Sequence, residues 1–314
     1  MYEHILVPLD GSARSEAVLT HLGPFLSAVE ADLTVLVVVE YPHGQIQAFE
    51  ALLADAEKDA WEYVERVCER LEKQGLRARG QVRVGVPAPN ILEEVEACGA
   101  DLVALASHGY CGVARLMHGS VTEQILRACP VTTLVVKSFI AGDTPADPYT
   151  ELPLKPVAWK HILVPLDGSP DAERALDDAT EIARVRGATV HLFRAGSVVP
   201  PGAFFSETMP VFPDLEAEAG YLRAVADRLK KAGVAVEPTF VTGLPVGAIL
   251  DYLANHPVDL ICMTTHGRSG LSRWVLGSVA ESVLRNARVP ILLRRTQPAP
   301  RGRSAAAGVA AAVA

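Results

Sequence analysis

The chain lacks most of the features that mark the specialised protein classes. Its five cysteines, Cys68, Cys98, Cys111, Cys129 and Cys262, form no CxxC pair and repeat no spacing. That excludes a disulfide framework or a zinc ribbon and reads as reduced thiols in a cytoplasm. Long hydrophobic runs are missing: LTVLVVVEY, among the longest, is strand-length and falls short of the ~20 residues that span a bilayer. Excess positive charge is missing too, with 29 Lys and Arg against 37 Asp and Glu and a formal net charge of -8. This argues against a general nucleic-acid binder, whose affinity comes from clustered Lys and Arg. A phosphate ligand would have to be held by local groups, because the global field is screened beyond about 8 Å. The first residues, MYEHILVPLDGS, show no basic region followed by a long apolar stretch, so a secretory signal is not expected. The expectation is a soluble, cytoplasmic chain.

What is present is a duplication. The 314 residues suggest two domains, and 49% hydrophobic with 21% charged residues suits α/β domains with buried parallel sheets. HILVPLDGS occurs at 4–12 and again at 161–169, an offset of 157. His108-Gly109 returns as His266-Gly267, and Gly119-Ser120-Val121 as Gly277-Ser278-Val279, both at an offset of 158. Gly85 and Gly243, each two residues before a proline, fit the same offset. Spacing preserved over a hundred residues makes internal repetition the reading to adopt.

Within each copy short apolar runs alternate with helical periodicity, the pattern of βαβ units. Strands are expected at 4–9, 32–39, 77–84, 101–106 and 131–136, with helices at 12–29, 46–74, 89–97 and 120–128. The second copy repeats this with strands at 161–166, 188–194, 235–242, 258–264 and 289–295, and helices at 170–186, 214–232, 247–255 and 278–287. The first domain is drawn over 1–141, a proline-rich linker over 142–157, the second domain over 158–297 and a frayed tail over 298–314.

Candidate chemistry gathers at the carboxyl ends of the strands, where open α/β sheets bind ligands. The first strand of each copy ends in Pro-Leu-Asp-Gly-Ser, which puts Asp10 and Asp167 at that edge. Asp-Gly-Ser before a helix also makes an ordinary turn and helix cap. After the fourth strand a glycine-containing loop runs into helices that begin Ser120-Val-Thr-Glu123 and Ser278-Val-Ala-Glu281, a capping-box pattern. Ser120 and Ser278 are expected to cap those helices. Free N–H groups and the helix dipole beside glycine would also suit an anion. No Gly-x-x-x-x-Gly-Lys-[Ser/Thr] is present and no Gly-x-Gly-x-x-Gly follows the first strand, which disfavours a P-loop or a classical dinucleotide fold. His108 and His266 read as structural or hydrogen-bonding residues rather than bases, since no partner carboxylate or nucleophile is identifiable. Arg115, Arg268 and Arg273 either contact phosphate or solvate the loop.

These motifs resemble the universal stress protein family in its tandem form, over nearly the whole chain. The ATP-binding branch carries Gly-x-x-Gly, nine residues, then Gly-Ser or Gly-Thr. Gly109 with Gly119-Ser120 and Gly267 with Gly277-Ser278 keep the last part of that spacing, whereas the first glycine is replaced by Ala106 and Thr264. The resemblance implies two five-stranded, parallel-sheet, Rossmann-like domains of strand order 3-2-1-4-5, paired through VTTLVV and PILLRR at their last strands. It places Asp10, Asp167, Val38 and Ala195 near adenine or ribose, with Pro8 and Pro165 in the same binding set. It places Gly119, Ser120, Val121, Gly277, Ser278 and Val279 at the phosphates, with ATP as ligand and Mg²⁺ accompanying it. The expected function is an ATP-binding regulatory or stress-response switch. A ligandless scaffold and, less favoured, an adenine-nucleotide hydrolase are the alternatives, the latter lacking an SGGxDS-like loop and HIGH or KMSKS elements.

Overall fold

The repeated His-Ile-Leu-Val-Pro run buries three successive apolar side chains in both β1 (His4–Leu9) and β6 (His161–Pro165). A strand covered on both faces belongs inside a parallel sheet flanked by helices, and both strands lie there. The computed structural model describes residues 2–23, 31–41, 49–108, 121–138, 157–196, 215–265 and 276–295.

After β1 come α1 (Ala13–Glu16), a 3₁₀ turn (Ala17–His21), β2 (Asp32–Val39), α2 (Phe49–Glu72), β3 (Arg77–Val84), α3 (Pro87–Cys98), β4 (Leu102–His108), α4 (Val121–Ala128) and β5 (Thr132–Ser138). The second half follows β6 with α5 (Pro170–Glu173), α6 (Ala175–Arg186), β7 (Thr189–Gly196), α7 (Leu215–Lys231), β8 (Ala235–Thr242), α8 (Pro245–Asn255), β9 (Leu260–Thr264), α9 (Ser278–Asn286) and β10 (Ile291–Arg294). All ten strands join one sheet in the order β3-β2-β1-β4-β5-β10-β9-β6-β7-β8. Each half therefore has the order 3-2-1-4-5, parallel throughout, and the halves meet where β5 and β10 run antiparallel.

The helix expected over 12–29 is broken. Ala13–Glu16 is α-helical, Ala17–His21 tightens to 3₁₀ and α-helix resumes at Gly23, while residues 24–30 lie outside the described set. The cause is local competition for backbone groups: Ser15 Oγ donates to the Ser12 carbonyl at 2.9 Å and Thr20 Oγ1 to the Ala17 carbonyl at 2.8 Å. The expected helix 170–186 is likewise interrupted at Arg174.

Two apolar layers cover the sheet, and each is continuous across both halves. One joins the 3₁₀ turn, α2, α5, α6 and α7 to the sheet through side chains such as Leu19, Val64, Leu71, Leu176 and Leu222. The other joins α3, α4, α8 and α9 through Ile91, Ile125, Ile249 and Val283. Gly80 on β3 lets α2 approach, since a Cβ there would stand 2.2 Å from Val64 Cγ1.

The junction is built from reciprocal contacts. Lys137 Nζ donates to the Arg285 carbonyl at 2.8 Å, while Arg295 donates to the carbonyls of Arg127 at 3.2 Å and Cys129 at 2.6 Å. Lys137 and Arg295 are equivalent in the two copies, as are Arg127 and Arg285. Each half thus places a cation on the carboxyl end of the other's last helix, the favourable end for positive charge. The residues leading into each first strand also cross over. Tyr2 donates its hydroxyl to Asp178 at 2.7 Å, and the Val157 N–H donates to the Thr20 carbonyl at 3.1 Å.

Candidate nucleotide site

At the carboxyl end of β1 the chain turns through Asp10-Gly11-Ser12. Gly11 has φ 80° and Gly168 φ 81°, the left-handed region that favours glycine. Asp10 Oδ1 accepts from the Ser12 N–H at 2.9 Å and from its hydroxyl at 2.6 Å, and Asp167 does the same for Ser169 at 2.9 and 2.6 Å. Ser12 and Ser169 in turn cap the short helices, each accepting at 3.1 Å from the N–H of Ser15 or Ala172. The turn-and-cap reading of Asp-Gly-Ser therefore holds in both copies, and it fixes one oxygen of each aspartate at the sheet edge.

In the second half the strand ends close on a cleft of about 190 Å³. Its walls include Pro165 and Asp167 after β6, Phe193 and Ala195 on β7, Pro245 and Ile249 on α8, Met263 and Thr264 on β9, and Gly277, Ser278 and Val279 at the start of α9. The loop between β9 and α9 is tied at its base. The Gly277 N–H donates to the Thr265 carbonyl at 2.8 Å, and the Thr265 N–H to the Arg294 carbonyl at 3.0 Å.

The capping box expected at Ser278 does not form. Gly277 occupies the cap position with no side-chain hydrogen bond, and Ser278 is the first helical residue. Glu281 pairs with Arg285 one turn on at 2.5 Å instead of reaching back to the helix start, and Glu123 of the first half pairs with Arg127 at 2.6 Å. The first turn of α9 thus faces the cleft with its N–H groups uncapped by any side chain, an arrangement suited to an anion.

Seven of the residues expected at the second site, Pro165, Asp167, Ala195, Thr264, Gly277, Ser278 and Val279, line this one cleft; His266 and Gly267 lie outside the described residues. In the first half Pro8 sits on β1, Asp10 in the turn after it, Val38 near the end of β2, Ala106 on β4 and Val121 at the start of α4, all at the corresponding edge. His108 ends β4; its side chain, with Gly109, Gly119 and Ser120, lies outside the described residues. Sequence reasoning missed Phe193, Ile249 and Met263, whose apolar character is the same whether a side chain meets a helix or a ligand. A wider furrow of about 620 Å³ runs along α6 and α7. It is open, and its cations are engaged, Arg228 with Glu173 at 2.6 Å and Arg184 with the Ala232 carbonyl at 2.8 Å. Of these two, the smaller cleft combines a sheet edge, a helix N-terminus and an apolar wall, the features of small-molecule sites. Among the described residues no three His, Cys, Asp or Glu side chains converge as a metal site.

The model of the Universal stress protein family matches residues 1–137 and again 158–295. The chain belongs to the universal stress protein family. It is similar along most of its length to a universal stress protein of Mycolicibacterium smegmatis, 26% identical over 307 residues that cover 93% of this chain and 96% of the relative. A universal stress protein of Methanocaldococcus jannaschii is 33% identical over 138 residues, 43% of this chain and 81% of its own. In fold, the crystal structure of a universal stress protein from Archaeoglobus fulgidus superposes with a TM-score of 0.72 at 22% identity, covering 94% of this chain and 99% of that one. Among the described residues no helix is long and apolar enough to cross a membrane.

Proposed function

We propose that this tandem universal stress protein binds ATP at the carboxyl edge of its sheet and acts as a nucleotide-dependent regulatory switch. The observation that carries the reading is the second-half cleft. An apolar wall of Phe193, Ile249 and Met263 faces an aspartate-bearing turn, and a helix N-terminus with no side-chain cap stands beside it. The wall suits a purine face, the Asp167 turn a ribose, and the start of α9 a phosphate. Mg²⁺ would arrive with the phosphates, which supply most of its ligands in nucleotide sites. Occupancy would bear on the junction, because α9 leads directly into β10 and the Thr265 N–H is held by the Arg294 carbonyl of that strand.

Thr264 favours the ligandless scaffold as a second reading, since its buried, branched side chain stands where the binding motif has glycine. Mass spectrometry of nucleotide released from the freshly purified full chain, followed by calorimetric titration with ATP, decides between them. Released adenine nucleotide and saturable heat are expected. An empty protein that gives no heat would leave the scaffold.

A further inference from the structure

The duplication supplies a comparison of the chain with itself, and buried or half-buried polar positions have mostly diverged between the copies. Thr34 corresponds to His191, Arg79 to Glu237, Arg83 to Val241, Glu94 to Tyr252 and His21 to Asp178. One side-chain triad has not. In the first half Tyr63 donates its hydroxyl to Glu16 at 2.9 Å and Arg70 donates to the same carboxylate at 2.7 Å. In the second, Tyr221 donates to Glu173 at 3.0 Å and Arg228 donates at 2.6 Å. These bonds join residues 47 and 54 apart in one copy, 48 and 55 in the other. The triad re-forms across the one-residue difference in spacing.

Its position gives it a purpose. Glu16 and Glu173 are the last residues of the four-residue helices α1 and α5, which follow directly on the Asp10 and Asp167 turns. A single helical turn does not sustain itself, because nucleation fixes several dihedrals for one hydrogen bond. The turn and its aspartate are therefore placed by whatever holds the far end of the helix. That end is pinned to the long helices α2 and α7.

We propose that Tyr63–Glu16–Arg70 and Tyr221–Glu173–Arg228 are positioning residues that hold Asp10 and Asp167 in register for a nucleotide. The inference rests on the nucleotide-binding reading above and adds how the site is built. Burial, reinforced by the negative charge of Glu16 or Glu173, pushes both tyrosine hydroxyls far above their ordinary range, so each remains a hydrogen-bond donor at any physiological pH. The first-half clamp is the drier one: the Glu16 and Arg70 side chains are 6% and 17% exposed, against 24% and 58% for Glu173 and Arg228. The second half compensates with Arg194, which replaces Val37 and sets its guanidinium 4.9 Å over the Tyr221 ring.

The test uses the full chain with Tyr63→Phe and Tyr221→Phe together, beside a control of Val64→Ala and Leu222→Ala. The control removes buried packing from the same two helices without touching the triad. ATP affinity by calorimetry should fall about tenfold in the tyrosine variant, as expected when a buried charged hydrogen bond is lost, and should hold in the control although its melting temperature drops further. Amide hydrogen exchange should accelerate in peptides spanning Asp10–Ser15 and Asp167–Ala172 in the tyrosine variant only. Equal loss of affinity in the control, or unchanged exchange at the two turns, overturns the proposal. If the unaltered chain binds no ATP, the functional reading fails by itself, and the exchange measurement still decides whether the clamp positions the turns.

Discussion

Leu134 of β5 and Leu292 of β10 are the same position in the two copies, and they stand directly opposite each other in the antiparallel ladder. A pseudo-dyad passes between them, so Ile291 meets Val135 and Leu293 meets Thr133. The surface each half offers is thus self-complementary, as in a symmetric dimer. A fragment ending at residue 141 should be folded and should dimerise through β5, whose edge would otherwise be left open. Sedimentation equilibrium checks this; a strictly monomeric folded fragment would contradict it.

The two serines beside the cleft should behave differently on truncation. Ser169 caps α5, so Ser169→Ala should cost roughly 1 kcal/mol of stability. Ser278 caps nothing, so Ser278→Ala should leave stability within about 0.5 kcal/mol while weakening ATP binding. Chemical denaturation and calorimetry on the pair separate the roles. Gly277→Val, which puts a branched side chain at the proposed phosphate position, should abolish binding in the second half, and unchanged affinity there would remove the site assignment.

Gly80→Ala should destabilise the first half by about 1–3 kcal/mol, the usual range for overpacking. The new methyl group would stand 2.2 Å from Val64 Cγ1, and Val64 is fully buried with nowhere to move. Urea unfolding of the variant measures the loss.

Stability should fall on the acid side before most carboxylates titrate. His21 Nδ1 is buried with no hydrogen-bond partner, and burial lowers the pKa of the ring from 6.5 to about 4. The unfolded chain takes up that proton near pH 6.5 and the folded chain only near pH 4, so stability declines as pH drops through this window and the contribution levels off below it. Burial of His191 lowers its pKa as well and acts in the same direction. Melting temperatures of the unaltered chain and His21→Gln, compared from pH 7 to pH 4, should show the flatter profile in the variant.

The two sites should be unequal and slow. Ala106 leaves more room than Thr264 at the end of the fourth strand, so the first half should bind ATP more tightly. Among the described residues the second-half cleft is lined by no lysine or histidine to stabilise developing charge or activate water. Turnover should lie far below the enzyme median of about 10 s⁻¹. Stoichiometry and ATPase rate measured together check both statements, and two equivalent tight sites or fast hydrolysis would refute them.

The βαβ alternation and the duplication were legible in the apolar runs and the repeat, whereas the strand order and the pairing of β5 with β10 were implied by the resemblance to the family. Of the second cleft's residues, Asp167 and the Gly277-Ser278 helix start were legible as strand-end and loop positions, whereas Pro165, Ala195, Thr264 and Val279 came from the resemblance. The capping error at Ser278 came from a one-residue ambiguity, since the Ser-x-x-Glu pattern reads alike whether serine sits at the cap or one place inside the helix. The break after Glu16 was hidden because Ser12, Ser15 and Thr20 compete with the backbone only once the chain is folded. The Tyr63–Glu16–Arg70 clamp was invisible for want of any local pattern, its members lying dozens of residues apart.

The reciprocal capping by Lys137 and Arg295 has a consequence for how such a chain diverges. Two separate copies of one domain must present identical clefts, because any substitution appears in both. Here the fusion lets Ala106 and Thr264, or Val37 and Arg194, differ freely, while the shared ladder and crossed cations hold the two unlike edges at fixed separation. The two halves of this one chain act as an unlike pair whose one-to-one composition no expression level or dilution can alter.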